Sequence, residues 1–183
     1  ADTVMGKRGS TYWYCVAMLA RNDEDLPRAD RSKKMREAIE TAIARGLEDY
    51  QTYLMMAQFA QQERNVEMML HWVNEAQRAF PESAQPYAYL YQIYQQTRDN
   101  ENAVKAAEKW VSVDENNLNV RMWLIENVYD PGRNWEKMAD MALQAVNVAP
   151  LSAKVHHYRG YALRKLKDWQ GAVDSFEFVR RLA

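Results

Sequence analysis

Three histidines, one cysteine and six tryptophans are the residues of this 183-residue sequence whose chemistry invites a site. His156 and His157 are neighbours, and on a helix neighbouring side chains diverge by about 100°, so they make no chelating pair. His71 has Glu67 and Glu75 at i−4 and i+4, one imidazole and two carboxylates on a shared face. A catalytic zinc site calls for a tighter, histidine-rich motif, so this face reads as solvated helix surface. Cys15 lies in the apolar run Tyr12-Trp13-Tyr14-Cys15-Val16 and reads as a small buried hydrophobe. A single thiol closes no internal disulfide and carries no information on redox compartment. Gly6-Lys7-Arg8-Gly9-Ser10 has neither the preceding strand nor the glycine spacing of a phosphate loop, and residues 1–9 read as a loose tail. No nucleophile, base and orienting group converge. The expectation is a protein without a catalytic site, metal or cofactor. Most of the tryptophans (Trp13, Trp72, Trp110, Trp135, Trp169) fall where a helical core needs bulk, while Trp123 lies off the apolar stripe of Leu124, Ile125 and Val128.

The elements that would position these residues are helices. Only six Gly and five Pro occur, and long stretches contain neither, which suits helix and suits strand poorly. The net charge of −1 lacks the basic excess of a nucleic-acid binder or of a polybasic membrane-surface protein. No run of about 20 apolar residues would span a membrane, and no secretory leader is visible. The length suits one domain covering 1–183.

Internal periodicity organises the chain. Pro81 and Pro150 each end a helical run and lie about two 34-residue periods apart, with the polar stretch Asp114-Glu115-Asn116-Asn117 midway. Four blocks follow: 50–83, 84–117, 118–152 and 153–183. The first helices are expected at Tyr50–Gln62, Ala84–Thr97, Leu118–Tyr129 and Ala153–Leu166. The second are expected at Val66–Phe80, Glu101–Val113, Trp135–Val148 and Trp169–Leu182. Asn65, Asn100, Asn134 and Asp168 are candidate N-caps, because their side chains accept from free backbone N–H groups. Pro131-Gly132 in the third break accounts for the extra residue of block 118–152. Tyr87, Leu90, Tyr91 and Tyr94 share one helix face, repeated by Tyr53, Met56, Ala57 and Ala60; Arg121 interrupts the pattern in the third block. Upstream, Ser10–Arg21 and Asp30–Arg45 read as a further helix pair with a longer turn, and Gly46 suits the helix end.

The blocks resemble tetratricopeptide repeats over residues 50–183. Gly160 occupies the slot where that family needs a very small residue, Ala57 fills it earlier, and Tyr91 and Ile125 depart from it. Asp168-Trp169 matches the acidic-aromatic turn; Ala172, Phe176 and Val179 match the second-helix core, as do Ala103, Ala107 and Trp110 in the second block. Pro81 and Pro150 match the closing proline. The resemblance implies an all-α, right-handed superhelical solenoid of antiparallel helix pairs. It would have about five repeats, with 1–49 the degenerate first. The last block has no polar capping helix after it, so the chain is expected to be a piece of a longer protein.

In such solenoids the first helix of each pair lines the concave side. Carried onto this sequence, the resemblance implies groove-facing rows that include Gln51, Gln85 and Asn119, then Gln58, Gln92, Glu126 and Tyr161, with Tyr129 and Arg164 at the helix ends and Trp123 and Tyr158 beside them. Glutamine both donates and accepts, so it can pair with a peptide backbone or with sugar hydroxyls. The lysine-asparagine clamp of carboxylate-gripping family members is replaced by Gln and Leu. The expected function is a scaffold binding a peptide or protein segment. The alternative is a regulatory or substrate-delivering arm of a larger enzyme or export machine, with a glycan the less favoured partner. Neither nucleic acid nor membrane insertion is expected.

Overall fold

The structure, a computed structural model, describes residues 9–182. Residues 1–8 and 183, including most of the Gly6–Ser10 stretch, lie outside the described residues. The chain is an all-α helical repeat: 79 % of it is helical, with ten α-helices and no strand among the described residues. It divides into two compact units, one ending at Pro86 and the other beginning at Tyr87.

The N-terminal unit contains α1 (Ser10–Arg21), α2 (Arg28–Ala44), α3 (Tyr50–Gln62) and α4 (Val66–Ala79). Helix α2 starts two residues before the expected Asp30 because Pro27, with φ −54°, already has the ring-fixed angle from which a helix can leave; its carbonyl accepts from the Arg31 N–H at 3.0 Å. Gly46 ends α2 at φ 84°, a left-handed conformation that glycine adopts without a Cβ penalty. The core is built from Ala17, Ala38, Ile39, Met56 and Phe59, with Trp13, Met35, Met55 and Trp72 packed against it. Cys15 does not join this core. It is exposed, because Ala17 and Ala20 are the α1 residues turned into the packed face.

Helix α5 (Ala84–Thr97) runs across the boundary at Pro86. The C-terminal unit continues with α6 (Asn100–Val113), α7 (Leu118–Leu124), a π-helical turn over Ile125–Tyr129, α8 (Trp135–Val148), α9 (Ala153–Lys165) and α10 (Trp169–Leu182). Leu124, Ile125, Met138 and Ala142 are fully buried at its centre. Gly160 meets the expectation of a very small residue. A Cβ there would stand 2.9 Å from the Phe176 ring, closer than carbon atoms pack. Trp169, by contrast, is 63 % exposed and takes no part in the core.

The hairpin turns repeat one local device. Arg64, Arg98, Arg133 and Lys167 adopt φ of 56°, 60°, 53° and 64°. The next residue in each case sends its N–H back five positions, to Ala60, Tyr94, Tyr129 and Leu163, at 2.9–3.0 Å. This satisfies a carbonyl left over at the helix end. That same residue then opens the second helix through its side chain: Asn65 accepts from Met68, Asn134 from Lys137 and Asp168 from Gly171. In the second block the cap is Asp99, accepting from Asn102 at 3.2 Å, and not Asn100, which lies inside α6.

The extra residue of block 118–152 is not in the Pro131-Gly132 turn. The five-residue return bond ends on Tyr129, which is one place later in its block than Ala60, Tyr94 and Leu163 are in theirs. The insertion is absorbed upstream by the π turn, where the Asp130 N–H bonds the Ile125 carbonyl at 2.9 Å.

Arg121 does not leave the core. Tyr53, Tyr87, Arg121 and His156 hold the same place in successive blocks and all are buried. The guanidinium of Arg121 donates to the Val111 carbonyl at 3.1 Å, to the Glu115 carbonyl at 3.0 Å and to Gln144. It thereby satisfies backbone acceptors at and just beyond the C-terminus of α6, where a cation also meets the negative end of the helix dipole. His156 makes the related contact one block later, its Nε2 lying 2.8 Å from the Pro150 carbonyl. Replacing Arg121 by Met keeps the volume but strips two carbonyls of their donor. Such a loss costs about 2–4 kcal/mol. Urea unfolding of Arg121→Met should show that drop at an unchanged m-value; an unchanged midpoint would contradict the role.

Candidate functional site

In the N-terminal unit Gln51 and Gln58 stand exposed on α3, and Gln85 stands exposed at the start of α5, its side-chain oxygen accepting from the Ser83 hydroxyl at 2.9 Å. In the C-terminal unit Gln92, Asn119 and Arg164 are exposed, while Trp123, Glu126, Tyr158 and Tyr161 are half-buried. The half-buried ones are held by neighbours. Trp123 sets its edge on Tyr91, with ring centroids 5.0 Å apart. Glu126 pairs with Lys154 across from α9 at 2.5 Å. Burial, and then the Glu126 carboxylate, raise the Tyr158 phenol above its usual range.

Tyr129, expected at the groove, does not reach the surface. It is 3 % exposed and belongs to the core. The π turn advances the helix by one residue, so Tyr129 takes the inward place of Ala60, Tyr94 and Leu163, and Asp130 takes the outward place expected for it. Its hydroxyl donates to Glu108 at 2.8 Å, and Lys137 donates to the same carboxylate oxygen at 2.6 Å. The trio ties α6, the π turn and α8 together. Burial first, then the bond to Glu108, pushes the Tyr129 phenol far up. For Glu108 burial acts upward, yet the bonds from Lys137 and Tyr129 and the lysine charge outweigh it and lower the carboxyl.

A hollow on the C-terminal unit lies beside this turn. It measures about 580 Å³ and is lined by Asp130, Pro131, Arg133, Trp135, Tyr161 and Lys165. Trp135 and Tyr161 meet edge to face at 5.7 Å. The Lys165 ammonium stands 5.5 Å from the Trp135 ring and 5.3 Å from the Tyr161 ring, and Arg164 lies 5.3 Å from Tyr161. Among the described residues, Arg133, Arg164 and Lys165 make no ion pair with a carboxylate. Such a hollow offers an apolar ring face beside unspent positive charge, suited to an anionic or hydrogen-bonding group attached to apolar surface. The sequence points to Tyr161, Arg164 and Lys165 here, but sets Trp135 with the core and assigns no role to Asp130. The Pro131-Gly132 pair was the available signal, read as a lengthened turn.

Among the described residues no three His, Cys, Asp or Glu side chains gather as a metal-binding group, and no helix is long and apolar enough to cross a membrane. His71 stands exposed on α4 with its ring 4.8 Å from that of Trp72.

No protein-family model matches the chain, and no characterised protein matches it by sequence. Among solved structures it is similar to MamA proteins, which are tetratricopeptide-like helical repeats. A MamA of RS-1 carrying a double mutation superposes with a TM-score of 0.54 at 14 % identity, covering 98 % of this chain and 96 % of that one. A MamA of AMB-1 gives 0.53 at 18 % identity, covering 94 % and 91 %. A further MamA structure gives 0.52 at 13 % identity with the same two coverages. At such identities the likeness concerns the fold, since one fold carries many functions.

The Tyr129–Glu108–Lys137 trio yields a test in stability and pH. Tyr129→Phe should cost about 1 kcal/mol, the net worth of one hydrogen bond, or about 2–4 °C in Tm. Because the Glu108 carboxyl is lowered in the folded state, its contribution is present above the usual carboxylate range and is lost as pH falls through the lowered value. Glu108→Gln should therefore be less stable than wild type at pH 7, and the gap should close in acid. A gap that stays constant with pH would remove the carboxylate from the account.

Proposed function

We propose that this chain is a non-catalytic interaction module that binds a peptide or protein segment on the surface carried by the first helices of its pairs. The observation that supports this most directly is the hollow of Trp135, Tyr161 and Lys165. It opens an aromatic face and unpaired cations on the unit whose α5 and α7 also present Gln92 and Asn119 to solvent. Aromatic rings supply contact area at low entropy cost, and exposed amides pair with a peptide backbone in either sense. Charged residues at the rim add steering and orientation.

In the family that the chain resembles the partner groove lies on first helices, and the similar fold of the MamA structures supports reading this chain as a scaffold of that type. A glycan is the second reading, favoured by one feature: the Trp135 and Tyr161 rings beside hydrogen-bonding groups could stack a sugar. The chain would then serve as the substrate-contacting arm of a larger assembly.

Affinity capture from the source cell, quantified by mass spectrometry, separates these. The bait is wild type beside Gln92→Ala/Tyr158→Ala/Tyr161→Ala, one exposed and two half-buried positions, which avoids the buried Tyr129. A partner enriched on wild type should fall tenfold or more on the variant while both baits keep the same helical circular dichroism. Equal recovery would remove this surface from the interaction. Tryptophan fluorescence that responds to millimolar oligosaccharide, with no protein partner enriched, would favour the glycan reading.

A further inference from the structure

The N-terminal unit carries a second, separate concavity, in which three guanidinium groups stand around an apolar floor. It measures about 520 Å³ and lies where α1, α2 and α3 meet. Arg21 ends α1, and Arg28 and Arg31 occupy the first turn of α2. Met35, Met55 and Phe59 form the floor, and no carboxylate lines the space. Gln58 and Gln62 stand on its α3 side.

Arg21, at the end of α1, meets the negative end of that helix dipole, but Arg28 and Arg31 have no such role. Among the described residues, none of the three arginines makes an ion pair or a side-chain hydrogen bond. Arg36, one turn further along α2, shows the contrast: it is engaged by Glu40 at 3.0 Å and by Glu63. Arg28 and Arg31 stand in the first turn of α2, where positive charge opposes the helix dipole and Asp30 is the acidic residue of the turn. The acidic residues of the α1–α2 turn do not relieve them. Asp23 faces Lys34 at 3.9 Å, and Glu24 and Asp25 are exposed and do not line the groove. Three cations without a carboxylate partner, beside apolar side chains, suit a ligand that neutralises the one and covers the other.

We propose that this groove receives an acidic peptide segment, its carboxylates taken by Arg21, Arg28 and Arg31 and an aliphatic side chain laid on Met35, Met55 and Phe59. Guanidinium suits carboxylate through paired, planar hydrogen bonds. Methionine is flexible and polarisable, so two of them accept varied aliphatic shapes. A nucleic acid fits less well. Phe59 is only 9 % exposed and presents no open ring for base stacking, and the chain as a whole has a net charge of −1. The proposal rests on the interaction-module reading, but it concerns a surface in the other unit from the Trp135–Tyr161 hollow.

Fluorescence anisotropy on the full chain tests it, using a labelled twelve-residue peptide of Glu, Asp and Leu and its Gln/Asn/Leu counterpart. The acidic peptide should bind and the amide peptide should not, and binding should weaken as salt rises from 50 to 300 mM. Arg21→Gln/Arg28→Gln/Arg31→Gln should weaken it tenfold or more. Lys105→Gln/Arg180→Gln/Arg181→Gln, with the same change in net charge, should bind as wild type. Met35→Glu, with circular dichroism to confirm folding, should also abolish binding. No binding of the acidic peptide, or equal binding to both arginine-series proteins, would overturn the proposal. So would tighter binding of a single-stranded RNA of equal length that the groove variant also loses. If binding survives the groove variant but is lost in Tyr161→Ala/Lys165→Gln, the interaction reading stands and the groove assignment fails.

Discussion

Close approach of helix backbones is the constraint on which the rest of this structure depends. The helices pack where their facing residues are nearly without side chains: Ala17 against the α2 face of Ala38 and Ala42, Ala103 and Ala107 on α6, Ala142 and Ala145 on α8, Gly160 on α9 beneath Phe176. Dispersion is short-ranged, so axes that come close gain many weak contacts at once, and a void would forfeit them. Large residues are then admitted only beside these seams, as Tyr91 is against Trp110 and Trp123. A seam of this kind fixes the rotation of each helix about its axis. Rotation in turn decides which side chains are left outside to meet a partner.

Rotation also explains the polar groups in the core. The fourth place of each block points inward and toward the loop that precedes it. Tyr53 and Tyr87 fill it with phenols, Arg121 with a guanidinium and His156 with an imidazole. A loop between helices carries carbonyls that no helix satisfies, and a long polar-tipped side chain can reach them while its stem packs as a hydrophobe. Arg121 and His156 do this for neighbouring loops with different chemistry. The interruption of the apolar pattern at Arg121 is thus a change of tip at a conserved-geometry slot, not a break in the repeat.

The two units present different surfaces because their irregularities differ. In the C-terminal unit one inserted residue becomes a π turn, which seats Tyr129 on Glu108 and pushes Asp130, Pro131 and Arg133 outward beside Trp135. In the N-terminal unit the longer α1–α2 turn brings the end of one helix beside the start of the next, so that Arg21, Arg28 and Arg31 converge. In both cases the departure from a regular repeat is where charge and apolar surface come together. A regular repeat spreads its side chains evenly along the face; an insertion or a long turn concentrates them.

What the sequence by itself determined is what local chemistry controls. The bounds of α1, α3, α5 and α10 were legible because caps, turn residues and a 3.6-residue stripe act over a few neighbours, and Asn65, Asn134 and Asp168 cap where their side chains alone suggested. The small slot at Gly160 was legible for the same reason. Tertiary structure decided the rest. Whether an extra residue lies in a turn or inside a helix depends on which register lets the core close, and that choice buried Tyr129. Cys15 and Trp169 are apolar or aromatic in a helical pattern, yet each stays exposed, because packing turns other residues of its helix inward. The meeting of three arginines from α1 and α2 over methionines from α2 and α3 has no signature in sequence spacing, since it depends on how these helices are rotated against one another.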